Sequence, residues 1–408
     1  MLRIVLTPLV VGALTLTARA ADWPQFLGPQ RDNTTPETVE PWTSELKPLW
    51  KKPVGEAHSS PVVANGTVYL FYQPKGQNAD TLAAFDAKTG TRKWEKSYDR
   101  AEIKLLFGNG PRATPTVAHG HVYTYGSTGI LTCWNATSGA IVWKVDALKD
   151  FKASNLFFGT SASPLVHEDQ VIVLVGGKNA GLVAFGAKSG KVVWQATDDP
   201  ASYASPVILN QQIVALTGAN VRGLSLRGQP LWQVPFKDKL NESSTTPIRA
   251  GGLIIASSVT AGSIAIKVVE GDGSFQAEKA WDNKDLTCYF STPVVVGDYL
   301  YMVNGAATLT NPSITLRCVE TKSGKVMWEK KNVGRYHAAI LRCGPEGQER
   351  LLMLDDNGYL TLFAPHEKEY KELAKSKVCG PTWAHPALVD GRLYLRDDNE
   401  LICLELKK

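Results

Sequence analysis

The stretch Ala84-Phe85-Asp86-Ala87-Lys88-Thr89-Gly90, followed by Trp94, decides the fold because it returns along the chain in a fixed frame. Cys133, Asn135, Ser138, Gly139 and Trp143 repeat it, as do Ala184, Gly186, Ser189, Gly190 and Trp194, and again Cys318, Glu320, Ser323, Gly324 and Trp328. Trp232 and Trp281 end weaker copies. The tryptophans from Trp94 to Trp328 stand 49, 51, 38, 49 and 47 residues apart, the period of a four-stranded unit. The Thr or Ser hydroxyl can bond its own turn, the glycine admits the bend, and the indole has the area to dock between neighbouring sheets.

A second phrase alternates with the first: Ser or Thr, then Pro, then two apolar runs split by a turn. It opens at Ser60-Pro61, Thr114-Pro115, Ser163-Pro164, Ser205-Pro206, Thr246-Pro247 and Thr292-Pro293, and as His385-Pro386 in a last copy. A degenerate copy runs from His337, with Ala339 in the place of Pro and Tyr370 read as the substitute for Trp. Short β-branched runs between Gly, Asn and Asp turns are strands and hairpins. One such sheet cannot bury both faces, so the units stack and close into a circle. The expected fold is all-β, an eight-bladed β-propeller of four-stranded antiparallel blades. Its last blade lacks a Trp phrase, and Pro48-Leu49-Trp50-Lys51 is an orphan one, so the N-terminal strand is expected to join the last blade and latch the ring. Trp50, Trp94, Trp143, Trp194, Trp232, Trp281 and Trp328 are the expected docking residues.

The chain divides into residues 1–20, 21–46 as an N-terminal arm, and 47–408 as the propeller. Arg3, the apolar run Ile4 to Leu16 and Ala18-Arg19-Ala20 read as a signal peptide cut after Ala20. The formal net charge of +5 falls to +3 once Arg3 and Arg19 leave, which excludes a basic stripe for nucleic acid. No other run is long enough to span a membrane. The expected location is periplasmic or secreted, without a lipid anchor.

The Ala-x-Asp-x-x-Thr/Ser-Gly-x-x-x-Trp phrase resembles the repeat of PQQ-like (pyrroloquinoline quinone) propellers over about residues 47–406, and Asp22-Trp23-Pro24-Gln25-Phe26-Leu27-Gly28-Pro29 looks like the lead segment of secreted PQQ-like repeat proteins. That superfamily includes quinoprotein alcohol dehydrogenases and BamB-type outer-membrane assembly factors. The resemblance implies either a non-catalytic binding or assembly scaffold, whose partners are envelope or extracellular proteins or peptides, or a dehydrogenase using PQQ with calcium. The scaffold is the preferred reading, with no cofactor and no catalytic residue expected. No position matches the calcium-ligand Glu and Asn or the catalytic Asp of those enzymes. The nearest pair, Asn241-Glu242, reads as a solvated loop, and the lipid-bearing cysteine of the assembly factors is absent.

Other candidates read as structure. Cys133, Cys318 and Cys403 fill the slot of Ala84 and Ala184 and are expected to be buried, whereas a disulfide among Cys288, Cys343 and Cys379 stays open. His119-Gly120-His121, Asp355 to Gly358 and Asp397 to Asn399 read as turns rather than metal sites, and His366 to Lys377 as a solvated loop or short helix. If each Pro opens an innermost strand, the residue three before it faces one mouth of the channel. These are His58, Arg112, Ser161, Tyr203, Ser244, Phe290, Tyr336 and Trp383. Aromatic and Arg side chains converging on a concave mouth form an interaction surface, with Arg112 and Trp383 as the expected anchors and a simple plug as the competing reading.

Overall fold

The structure, a computed structural model, describes residues 22–305 and 312–406; the expected signal peptide lies outside the described residues. Eight sheets follow one another around a ring. Blade 1 runs outward from Val62–Ala64 through Thr67–Tyr72 and Ala79–Asp86 to Arg92–Asp99. Blades 2 to 6 repeat this plan, with innermost strands at Thr116–Ala118, Leu165–His167, Val207–Leu209, Ile248–Ala250 and Val294–Val296. Blade 7 starts at Ala338–Cys343 and blade 8 at Ala387–Val389. Among the described residues the only α-helix is one turn, Ala147–Asp150.

The ring closes through its N-terminal strand. Pro48–Pro53 pairs antiparallel with Glu400–Glu405 as the outer strand of blade 8, setting Trp50 opposite Cys403. The same register sets Trp94 opposite Ala84, Trp143 opposite Cys133, Trp194 opposite Ala184, Trp232 opposite Gly223, Trp281 opposite Ala265 and Trp328 opposite Cys318. A small residue under each indole leaves it room, which is why alanine, cysteine and glycine share the slot. The indole then reaches the next blade. Trp50 Nε1 donates to the Ala87 carbonyl at 3.3 Å, Trp94 to Ala136 at 3.2 Å, Trp143 to Ala187 at 2.9 Å and Trp281 to Thr321 at 2.8 Å. Gly90 shows what the turn demands. Its φ is +68°, and a Cβ there would lie 2.6 Å from the Trp50 ring.

Two expectations are corrected in blade 7. Tyr370 does not occupy the tryptophan slot: Ala374 does, opposite Leu362, so large and small are exchanged across the strand pair. Tyr370 instead packs on Trp328, with centroids 6.0 Å apart, at the joint with blade 6. Lys371–Lys377, read as loop or helix, is the outer strand of that blade. Its charges follow from an outer strand exposed to solvent on its rim, which hides the alternation that marks a half-buried strand. All six cysteines are buried free thiols.

The arm threads the channel. Trp23 and Val63 exchange two backbone hydrogen bonds of 2.8 Å, and Val117 N–H donates to the Pro24 carbonyl at 2.8 Å. Positive φ at Leu27, Gly28, Arg31 and Asn33 folds the segment back on itself. Arg31, 2% exposed, donates to the Ser163 and Pro164 carbonyls at 3.0 and 2.9 Å. Thr34–Thr35 then adds a parallel strand to Ala338–Cys343. The far mouth is thereby filled, and the channel becomes a cavity open at the near mouth.

Candidate functional site

The eight residues three before each opening all line one cavity of about 330 Å³. Each innermost strand starts at the near mouth, so the residue just ahead of it projects there once per blade. Trp383 is the hub: its ring centroid lies 4.9 Å from His58, 5.2 Å from Phe107, 5.1 Å from Phe290 and 5.9 Å from Tyr336. The His58 pair is stacked and the other three are tilted or edge-on; aromatic pairs at such separations each contribute about 0.5–1.5 kcal/mol beyond burial. Arg112 also braces the mouth. Its guanidinium donates to the Leu106, Gly108 and Gly110 carbonyls at 2.9, 3.1 and 3.3 Å, so it ties its own loop. Burial lowers its pKa to about 10. Ser161 donates to the Gly159 carbonyl at 3.0 Å, and Ser244 to the Glu242 carbonyl at 3.1 Å. The Tyr203 hydroxyl accepts from Phe158 N–H at 3.2 Å.

Buried carboxylates hold the loops that carry the mouth. Asp80 and Arg100 form a fully buried ion pair at 2.9 Å, and Arg100 also donates to the Asn109 carbonyl at 2.9 Å, fixing the segment that bears Phe107. Asp238 accepts from Leu240 and Glu242 N–H and from Ser258 and Thr260. Burial pushes its pKa up, but these hydrogen bonds outweigh it and hold the carboxyl below its ordinary value. Asp356 accepts from Arg335 and Tyr336 N–H at 2.8 and 2.7 Å, orienting Tyr336. Asp397 caps its own turn through Asn399 and Glu400 N–H.

Several lining residues escape a reading of the repeat. Glu242, read as a solvated loop, is half-buried in the cavity wall, where the Tyr289 hydroxyl donates to its carboxylate. Burial, and then that carboxylate, raise the Tyr289 pKa. Phe26 rises from the arm to stack edge-on against His385 at 5.0 Å. Leu106-Phe107 and Phe157-Phe158 come from connectors between blades. The available signal was a pair of apolar runs, each ending Phe-Gly, inside segments with no strand to feed.

His58 Nε2 lies 2.7 Å from the Phe107 carbonyl, and its pKa falls to about 4 because of burial and then the Arg112 charge. His385 falls to about 4 through burial, and His337 behind it is also lowered by burial. At neutral pH all three are uncharged.

These residues do not fit a quinone with calcium. Calcium takes roughly six to eight oxygen ligands rich in carboxylate, yet among the described residues Glu242 is the only carboxylate lining the cavity and it is engaged by Tyr289. Among the described residues, the three carboxylates of the quinone would meet one lining cation of fixed charge, Arg112, three of whose N–H donors are held by its own loop. Among the described residues no three His, Cys, Asp or Glu side chains converge on a metal-sized site. His119-Gly120 is an exposed hairpin turn, and His121, half-buried, opens the strand that follows.

The profile of the family described as outer membrane protein assembly factor BamB matches residues 42–109 and 80–330. BamB of Shewanella oneidensis is 24% identical over 235 residues, which cover 54% of this chain and 57% of that protein. BamB of Yersinia pestis is 25% identical over 260 residues, covering 62% and 61%. The chain thus matches less than two thirds of the length of these relatives. Among solved structures, BamB from Moraxella catarrhalis superposes with a TM-score of 0.60 at 14% identity, over 89% of this chain and 98% of that one. Quinohemoprotein alcohol dehydrogenase from Comamonas testosteroni gives 0.66 at 13% identity, over 95% and 81%. At such identities the structural likeness is one of fold alone. The profile, however, spans more than half of the sequence, and the chain belongs to the PQQ-like repeat family described as outer membrane protein assembly factor BamB.

Proposed function

We propose that this propeller is a non-catalytic binding or assembly scaffold of the cell envelope, periplasmic or secreted, and that the near mouth is its working surface. The observation that carries the reading is the rim. Leu106, Phe107, Phe157 and Leu240 are 48%, 41%, 72% and 49% exposed, come from three separate loops, and surround one cavity. Large apolar side chains left exposed on loops pinned by the Asp80–Arg100 pair, by Asn155 and by Asp238 are costly unless a partner covers them. Membership of the BamB-described family supports a partner among envelope proteins, with outer-membrane assembly proteins first in line. The donor set of the cavity supports action without a cofactor.

A photo-crosslinking residue at Phe157, compared with one at Val193 on an outer strand, tests this in the intact envelope. The reading expects a discrete adduct from position 157 that disappears in the Trp383→Ala variant, and none from position 193. Saturable binding of PQQ with calcium, together with dye reduction in the presence of an alcohol, would establish the dehydrogenase reading instead.

A further inference from the structure

Beneath the rim, the Ser/Thr-Pro phrase builds a belt around the channel. Ser60 N–H donates to the Thr114 hydroxyl at 3.0 Å, Thr114 N–H to Ser163 at 2.9 Å, Ser163 N–H to Ser205 at 2.9 Å, Ser205 N–H to Thr246 at 3.4 Å and Thr246 N–H to Thr292 at 3.4 Å. His385 N–H continues it onto Ser60 at 2.9 Å. The belt breaks at blades 7 and 8, where Ala338 and His385 replace the hydroxyl residue; Ala338 N–H turns back to Ser291 at 3.3 Å.

At that break two buried ring nitrogens have no partner, His337 Nε2 and His385 Nδ1. The rings are 5.1 Å apart, and His385, 4% exposed, lines the cavity. Ser291 Oγ lies 3.0 Å from His337 Nδ1. Each imidazole is neutral, with one N–H and one acceptor nitrogen, so a donor arriving at His385 Nδ1 is met by the tautomer that carries its proton on Nε2. A buried acceptor left unmade costs about 1–3 kcal/mol, so a ligand that brings an N–H donor relieves a cost already present.

The cavity is also polarised. Reading around the mouth, Glu242, Phe290, Tyr336 and Trp383 come from the connectors entering blades 5 to 8. Arg112 enters blade 2, on the other side of His58, with three N–H bonds to its own loop. One half of the wall therefore offers aromatic faces, a carboxylate and a bare imidazole nitrogen. A cation is drawn to aromatic faces, and an ammonium or guanidinium carries several donors and no acceptor.

Building on the scaffold reading, we propose that the cavity recognises the basic side chain of a partner peptide, a lysine or arginine inserted among Trp383, Phe290 and Tyr336, with an N–H on His385 Nδ1 and Glu242 supplying the opposing charge. The rim loops then cover the apolar residues that flank it.

The test titrates the purified full chain with N-acetyl-Gly-Lys-Gly-amide, the arginine analogue, and the norleucine and glutamate analogues, followed by calorimetry and tryptophan fluorescence. The proposal expects the lysine or arginine peptide to bind at least about tenfold more tightly than norleucine, and the glutamate peptide weakest. His385→Leu should abolish the preference and His385→Gln, which keeps an acceptor, should restore part of it. If the His385 variants fail to fold, Glu242→Gln on the half-buried wall should still cut the basic peptides several-fold and leave norleucine unchanged. Norleucine within about threefold of lysine overturns the inference, as does tighter binding of glutamate, or no binding at millimolar peptide. Any of these leaves the crosslinking at Phe157 to decide the scaffold reading separately.

Discussion

Replacing Trp50 and Trp232 by alanine, one at a time, separates two costs that the repeat makes look identical. Both indoles are buried, at 9% and 6% exposure, and both lie opposite a small residue. Removing a buried aromatic side chain costs about 3–5 kcal/mol. What differs is the acceptor left behind. The Ala87 carbonyl, which receives Trp50 Nε1, also accepts the Tyr394 hydroxyl at 3.1 Å, so Trp50→Ala orphans nothing and should cost about 3–4 kcal/mol. Trp232 Nε1 donates at 2.6 Å to Gln212 Oε1, whose residue is 7% exposed. Losing that donor adds the cost of an unpaired buried acceptor, about 1–3 kcal/mol, so Trp232→Ala should reach about 5–6 kcal/mol. Urea unfolding of both variants and the parent, with a shared slope, gives the two differences directly. Equal losses, a larger loss at Trp50, or losses below about 1 kcal/mol at both would refute the reasoning.

Three further outcomes follow from the same geometry. His385 is neutral in the fold, with a pKa of about 4 against an ordinary 6.5, so on acidification the unfolded chain takes up the proton first. Its share of stability is intact above pH 6.5 and is lost as pH falls toward 4. At about 1.36 kcal/mol per pH unit this amounts to roughly 3 kcal/mol, read as the extra loss of the parent over His385→Gln in denaturation series between pH 7 and 4. Gly90→Ala forces a side chain into positive φ and into the Trp50 ring, so it should cost at least about 2 kcal/mol, and thermal unfolding should show it. Arg31→Ala strips donors from the Ser163 and Pro164 carbonyls at the channel floor. It should destabilise by about 2–3 kcal/mol and speed hydrogen exchange along the inner strand of blade 3.

The fold was legible because one physical constraint recurs in it. Seven blades set a tight turn beside a docking indole and the first six place a hydroxyl at the innermost strand, so the same residue types return in register, and counting back from Pro reaches the mouth. Legibility ended where that constraint is met by other means. In blade 7 the Leu362–Ala374 exchange serves the same packing without a tryptophan, and Tyr370 was the wrong substitute. Glu242, Tyr289, Phe107 and Phe158 sit on connectors of unequal length, which share no register. The arm gave no periodic signal, since Phe26 and Arg31 are placed by left-handed turns and long-range carbonyls rather than by a strand pattern. Nor does a sequence show that the Arg112 fork bonds three carbonyls of its own loop, which makes that residue a brace of the mouth.

The most direct measurement of where this protein works is hydrogen–deuterium exchange of the full chain with and without the envelope protein trapped at Phe157. Slowed exchange over residues 105–109, 155–159 and 240–243, with outer strands such as Val192–Ala196 unchanged, is the result predicted. Protection confined to the outer strands, with the mouth loops exchanging as before, would contradict it.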